Sequence, residues 1–418
     1  MKILIVNKFL HANGGSETYI FNIGKHFQKL GHQVQYFGME HPERVVGNDW
    51  NCYTENMDFH GDKSGEGAEG SLKSKMELLV KRAGYPFRII YSREAYKKIT
   101  YVLEKFDPDV AHLNNFNFQL TPSILYAIKN YRKKRGKKLP VIMTAHDCQL
   151  VCPNHLMMIP ASGKICFACE GGKYKNCIRN KCIHNSRARS ILAAIEGYLY
   201  FLIRTYRYID LIICPSEFLK KKLATNPLLA PKVITVHNFI QTIDIEEDME
   251  KEDYVLYFGR YSKEKGVEML LSVCESLPDI PFVFAGSGPL RDKVLQVKNI
   301  EERGFLSGKE LYSTIAKARF ALLPSIWNEN CPFSVVEAQT YGTPVLGSRM
   351  GGIPELIKED ITGQLLPAGN MEAWSKAVRE LWQNEQKLKN YTENCKKLTF
   401  YTISGYCDIL LGKIKELL

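Results

Sequence analysis

Short apolar runs alternate with helix-period segments along almost the whole chain, and that alternation points to an α/β architecture built on parallel sheets. Lys2 to Val6 reads as a strand. Asn13-Gly14-Gly15-Ser16-Glu17 follows, and then Ile20, Ile23, Phe27 and Leu30 recur at helical spacing. Gly31 ends that helix, and Val34 to Phe37 is the next strand. The result is a βαβ unit with glycines at its first strand-to-helix turn. Lacking a Cβ, glycine there lets the backbone approach a ligand, although a plain tight turn would use it too. Further strands are expected at Asp109 to Leu113, Val141 to Ala145, Asp210 to Cys214 and Val233 to Val236. A second series runs through Tyr254 to Phe258, Pro281 to Ala285, Ile300 to Arg303, Phe320 to Leu323 and Pro344 to Gly347. At 418 residues the chain exceeds one ordinary core. Two parallel-sheet domains are therefore expected, residues 1–239 and 254–395. An acidic stretch without strand pattern, 240–253, would link them, and a last helix, 396–418, would cross back to the first domain.

The formal charge of +11 favours anionic partners: nucleotide phosphates, an anionic membrane face or nucleic acid. The opening MKILIVNKF lacks the long apolar core and small-residue cleavage site of a signal peptide, so a cytoplasmic protein is expected. No run reaches the length of a membrane span. The nearest, Ile191 to Cys214, is broken by Glu196, Arg204, Arg207 and Asp210. Two basic, aromatic segments stand out. Leu72 to Phe106 (with Lys73, Lys75, Lys81, Arg82, Phe87 and Arg88) reads as a solvated helical face or one lying on a membrane surface. Arg187 to Tyr208 is apolar nearly all round, so it is either buried between layers or partly inserted into a bilayer interface.

Twelve cysteines without an export signal read as free thiols or metal ligands rather than disulfides. Cys148, Cys152, Cys166, Cys169, Cys177 and Cys182 fall in one irregular stretch, 148–184, with His155 and His184 nearby. Cys166-Phe-Ala-Cys169 has the spacing of a zinc knuckle, and Cys177 and Cys182 would complete four thiolates. A structural zinc is expected there, with Cys152 as a further candidate and unliganded thiols as the alternative. Four thiolates would leave no open position for catalysis.

The residues that carry chemistry lie at strand ends and turns. In Trp327 to Gly342, Pro332 is expected as the first helical residue, followed by Phe333, Val336 and Thr340 at helical spacing. Glu329 then lies in the turn before the helix, and Glu337 in its second turn. A helix N-terminus offers free N–H groups and partial positive charge to phosphate. A carboxylate beside it can accept hydrogen bonds from sugar or ribose hydroxyls; a capped surface helix is the plainer alternative. Arg260 and Lys265 sit on a glycine-bearing strand-to-helix turn, and such cations suit a diphosphate. His146 ends the strand Val141 to Ala145 and should face a cleft, unless it is a structural histidine bonded by its neighbour Asp147.

Together these motifs resemble the retaining glycosyltransferases of the GT-B fold, glycosyltransferase family 4, also called group 1. The matching stretches are Gly14 to Glu17, Thr144 to Asp147, Pro215 to Phe218, Phe258 to Arg260 with Lys265-Gly266, Ala285 to Pro289, Glu329 to Glu337, Gly351 to Glu355, and Thr362-Gly363. The resemblance implies two Rossmann-like domains facing a cleft, the first binding the acceptor and the second a nucleotide-diphosphate sugar, UDP- or GDP-linked. Arg260 and Lys265 would hold the diphosphate and stabilise the leaving nucleotide. Glu337 would bind the ribose, and Glu329 the donor sugar, beside the backbone of Asn330, Cys331, Pro332 and Phe333. Gly14 and Gly15 would close over the phosphates, and His146 would lie near the anomeric carbon. It implies retention through front-face attack, without a dedicated divalent metal. The cysteine insertion resembles that of enzymes of bacterial surface-polysaccharide assembly. The expected acceptor is a lipid-linked saccharide, met at the inner face of the membrane. Asn330-Cys331-Pro332 departs from the usual residue types between the two glutamates. Rival readings are a nucleotide-sugar epimerase, a phosphorylase, whose pyridoxal phosphate lysine cannot be identified here, and a zinc-dependent nucleic-acid-binding protein. The last lacks the aromatic-interleaved basic repeat that would support it; no nucleic acid partner is expected.

Overall fold

A computed structural model describes residues 1–56, 88–240 and 249–418. Part of the basic segment from Leu72, including Lys73, Lys75, Lys81, Arg82 and Phe87, and most of the expected linker lie outside the described residues.

In the first half the elements are β1 (Lys2–Val6), α1 (Gly15–Lys29), β2 (Gln33–Phe37), α2 (Arg93–Phe106), β3 (Val110–Leu113), α3 (Ser123–Arg135) and β4 (Val141–Thr144). The cysteine-rich stretch follows, with a hairpin of β5 (Met158–Ile159) and β6 (Lys164–Ile165) and the short α4 (Lys175–Arg179). Then come α5 (Arg187–Leu202), β7 (Leu211–Cys214), α6 (Glu217–Leu223) and β8 (Val233–Thr235). The sheet order is β2-β1-β3-β4-β7-β8, all parallel. Parallel sheets are covered on both faces, which is why β3 and β4 are buried along their whole length.

The second half repeats the plan. It runs β9 (Glu252–Arg260), α7 (Val267–Ser276), β10 (Phe282–Ser287), α8 (Arg291–Val294), β11 (Ile300–Glu302), α9 (Gly308–Lys317) and β12 (Ala318–Leu323). It continues with α10 (Phe333–Thr340), β13 (Val345–Ser348), α11 (Ile353–Leu356), β14 (Gly363–Leu366), α12 (Met371–Gln383), α13 (Glu385–Lys396) and α14 (Ile403–Leu417). Its order is β11-β10-β9-β12-β13-β14, again all parallel. In each sheet the strand order reverses beside the first strand, β1 or β9. Open parallel sheets bind ligands at that switch point, beyond the carboxyl ends of the strands.

Trp374, Val378, Leu381 and Tyr391 of α12 and α13 pack on Leu270 and Phe282 of the second sheet's layers. By contrast, Tyr406, Cys407, Leu410 and Ile414 of α14 pack with Ile3, Ile5, Ile20 and Ile23 of the first half. Burying one such Leu or Ile contributes about 1.5–3 kcal/mol. The two passages between the halves run side by side: Ile240 N–H donates to the Tyr401 carbonyl at 2.8 Å, and Ile240 bridges Thr402 in parallel.

Several local expectations need correcting. Pro332 is not the first helical residue. It is the N-cap, with extended backbone (φ −66, ψ 123), and α10 begins at Phe333. Strand β9 starts at Glu252, two residues earlier than its apolar run, because its first residues, Glu252 and Asp253, are exposed. Strand β14 and the hairpin of β5 and β6 were not read from sequence. Helix α5 is not buried between layers, since Ile191, Ile195, Leu199 and Leu202 are all exposed.

Candidate active site

The floor of the cleft comes from the second sheet. Strand β9 ends at Arg260, and the chain makes one tight turn over Lys263–Lys265 before α7. That turn closes on Gly266, whose φ is 74°; a Cβ there would stand 1.9 Å from the Pro324 carbonyl oxygen. So glycine brings the Lys265 turn against the end of β12. Lys265 Nζ lies 2.6 Å from Glu329 Oε1. Ser325 Oγ and Trp327 Nε1 donate to the same oxygen at 2.6 and 2.8 Å. Glu329 is 7% exposed. Burial alone would push its carboxyl up, but the Lys265 ammonium and these donors more than offset it and hold it below the usual value.

Glu337 lies four residues into α10 and shows the opposite balance. Burial pushes its carboxyl up to about 7. Arg260 is largely exposed and reaches Glu264. One pocket is lined by Asn13, Gly14 and Gly15 from the first half and by Gly259, Arg260, Lys265, Ser287 and Trp327 from the second. Phe333 stands 3.9 Å from where a Gly15 Cβ would be. The glycine turn after β1 and the cations after β9 therefore face one space, as expected of the two switch points.

His146 follows β4. Its Nε2 is 2.9 Å from Asn114 Oδ1, and the Tyr19 ring meets it edge-on at 5.0 Å. Burial pulls the imidazole down to about 4, so it is neutral at physiological pH. The alternative partner does not hold: Asp147 lies 3.5 Å from His155 Nδ1 and accepts the Gln149 N–H, leaving His146 to Asn114. Behind His146 the Tyr19 hydroxyl bonds Thr144 Oγ1 and the Tyr406 hydroxyl at 2.9 and 3.0 Å, and His112 Nε2 bonds Thr144 at 2.8 Å. The last helix thus buttresses the strand that carries His146.

Asn330 and Cys331 spend polar atoms on the opposite half. Asn330 Nδ2 donates to the His146 carbonyl at 2.6 Å, and Cys331 accepts the Asn238 amide on its carbonyl at 2.9 Å. Two motifs that sequence reading named separately also meet here. Glu355, on α11, accepts the N–H groups of Glu217 and Phe218 at 2.7 Å each and lies 3.2 Å from His237 Nε2. Ser325, Trp327, Asn114 and Tyr19 were missed by sequence reading, because only their distance from Glu329 or His146 gives them a part.

The cysteine stretch forms a separate place. Cys152, Cys166, Cys169, Cys177 and Cys182 line one small cavity with Met157 and Phe167. Burial pushes the Cys169 thiol up to about 12, and all five cysteines are free thiols. Thiols are the right donor type for zinc. Among the described residues, however, no group of three or more His, Cys, Asp or Glu is arranged to hold a metal ion. His155 is engaged by Asp147 and stacks on Phe118 at 4.9 Å instead.

A family profile described as Glycosyltransferase Family 4 matches residues 13–243, and one described as Glycosyl transferases group 1 matches 239–398. An uncharacterized glycosyltransferase of Methanocaldococcus jannaschii is 29% identical over 361 residues, 83% of this chain and 94% of its own length. The O-antigen chain mannosyltransferase C of Escherichia coli is 22% identical over 45% of this chain and 55% of its own. Among solved structures, Anabaena HepE in complex with UDP aligns over 100% of both chains, with a TM-score of 0.65 and 13% identity. With the two parallel sheets, that likeness shows the GT-B fold.

Proposed function

Because this chain belongs to glycosyltransferase family 4, we propose that it moves a hexose from a UDP- or GDP-sugar to a saccharide acceptor with retention of anomeric configuration. The observation that carries this reading is the convergence of Gly14, Gly15, Arg260 and Lys265 on one pocket, with Glu329 tied to Lys265 beside it. The first domain, 1–239, takes the acceptor, and the second, 254–395, takes the donor, with 396–418 returning to the first. The negative charge that develops on the leaving diphosphate falls between Arg260 and Lys265, which stabilise it without a divalent metal. Backbone groups at Gly14 and Gly15 close over the phosphates from the other side. Glu337 accepts the ribose hydroxyls. Glu329, ionised and fixed by three donors, receives the donor sugar's hydroxyls beside the backbone of Asn330 to Phe333. A neutral His146 hydrogen-bonds the sugar near its anomeric carbon without adding charge to an oxocarbenium-like transition state. The acceptor is a lipid-linked saccharide of bacterial surface-polysaccharide assembly; the O-antigen relative supports that class. The excess positive charge serves the donor phosphates and an anionic surface rather than nucleic acid.

Calorimetry with UDP and GDP on the unmodified protein and on Arg260→Ala tests the site. One nucleoside diphosphate is expected to bind, and the variant to bind it about ten- to hundredfold more weakly, since hydrogen bonds to charged groups contribute about 1.5–3 kcal/mol. Because Arg260 is exposed, folding stability should be unchanged within about 0.5 kcal/mol. Equal affinity in both proteins would remove Arg260 from the donor site, and an inverted anomer by proton NMR would end the retaining assignment.

For Cys166, Cys169, Cys177 and Cys182 we propose a structural zinc. Its support is the gathering of these thiols, with Cys152, at one cavity; binding would draw four sulfurs together and release their protons. Metal analysis of protein purified without chelator should return about one zinc per chain. A folded, metal-free protein would retire the proposal.

A further inference from the structure

Helix α5 leaves an apolar stripe facing outward. Its inner face is Ser190, Ala193, Ala194, Glu196 and Tyr200, all buried. Its outer face is Ile191, Ile195, Leu199 and Leu202, which are 39, 50, 38 and 72% exposed. These positions follow helical spacing, so they form one row, where a helix meeting only water would carry polar groups. Ile203 continues the row at 46% exposure. Arg187 and Arg189 stand exposed at one end of it and Arg204 and Arg207 at the other. Beside the row lies a shallow pocket lined by Tyr91, Tyr96, Tyr126, Lys129, Leu199 and Ile203. Lys133, one turn beyond Lys129 on α3, is exposed as well.

We propose that this face of the first domain docks on a lipid bilayer containing anionic lipid. An apolar row between clustered cations, rimmed by tyrosines, matches the layering of a bilayer interface, where acyl chains, headgroup charge and amphipathic rings lie at successive depths. The arginines meet anionic headgroups while the Ile and Leu side chains enter the acyl boundary. No helix among the described residues is long and apolar enough to cross a membrane, so docking is superficial and salt-sensitive. The assignment does not depend on which donor or acceptor is used. It places the acceptor domain at the surface where a lipid-linked substrate would be found.

The test is co-sedimentation of the full chain with phosphatidylcholine vesicles, with and without phosphatidylglycerol, at low and high salt. The unmodified protein should be retained by the anionic vesicles at low salt and released at high salt. Ile195→Glu with Leu202→Glu should lower retention about tenfold or more, by exchanging apolar contact for like charge. Arg204→Ala with Arg207→Ala keeps the row intact and should lower it about fivefold per arginine. Nucleotide affinity, measured on the same samples, should not move in either variant. The proposal is overturned if the unmodified protein ignores anionic vesicles, or if both variants bind as well as it does. It is also overturned if sedimentation velocity shows that the row instead joins two copies of the chain, dissociated by the glutamates.

Discussion

Lys265→Ala is expected to lower turnover by about 10²–10³-fold, the usual loss when one preorganised group facing transition-state charge is removed. The same change should also destabilise the apo protein. Glu329 is buried, and Lys265 is the cation that keeps its carboxyl ionised. Removing one partner of a buried pair typically costs about 3–5 kcal/mol. Ser325 and Trp327 still donate to the stranded oxygen, so the lower end is expected. In the unmodified protein the folded carboxyl titrates below its unfolded value. It therefore contributes stability above the unfolded value, and loses it as pH falls through the folded one. In Lys265→Ala burial is no longer offset, the carboxyl rises, and the deficit should be largest at neutral pH and shrink in acid. Lys265→Met with Glu329→Gln separates the two roles, because it removes the uncompensated charge: stability should recover while turnover does not. Activity of Lys265→Ala within a few-fold of the unmodified protein would dissolve the assigned role. Chemical denaturation beside single-turnover assays reads both quantities.

Glu337 is expected to make nucleotide binding tighten with rising pH. Its folded carboxyl is raised to about 7 by burial alone. Ribose hydroxyls donate best to the ionised form, so binding should expel a proton. Between pH 6 and pH 8 the ionised fraction rises about tenfold, and affinity should rise by about the same factor. In Glu337→Gln that component should vanish. The diphosphate's own titration is common to both proteins, so the difference between them is the measurement. The sign for folding is opposite to that of Glu329. A folded value above the unfolded one means the site's contribution is complete below about 4.5 and declines as pH climbs to about 7. By that reckoning Glu337→Gln should gain at most roughly 3 kcal/mol at pH 8 in the absence of nucleotide. A parallel pH dependence in both proteins would place Glu337 away from the ribose.

Residues whose position is set by a local turn were legible in the sequence. Gly14 and Gly15 stand where the loop after β1 enters α1, and Arg260 ends β9, so the alternation that predicts those strands also places all three at the carboxyl edge of a sheet. Residues whose role is set by a partner were not. Nothing near Lys265 announces Glu329, 64 positions away. Nothing in Pro215 to Phe218 announces that Glu355 will accept its amides, although both stretches were recognised as motifs. Cys331 reads as a departure from pattern, and only the fold turns its carbonyl toward Asn238. Helix α5 failed for a different reason. An all-round apolar pattern is the same string whether its outer row is covered or exposed, and only the folded chain shows Ile191, Ile195, Leu199 and Leu202 exposed. Strand β14, Gly-Gln-Leu-Leu, is too short and too mixed to register as a strand without the β13 edge it pairs with.

The adjoining crossings at Ile240 and Tyr401–Thr402 have a mechanical consequence. Had the chain passed between the lobes at separated points, each would have pinned the other like two bolts through a plate. Stitched edge to edge, they share a single hem, and the rest of the seam between the lobes is left to side chains: Glu355 on the Glu217 and Phe218 amides, and Asn330 on the His146 carbonyl.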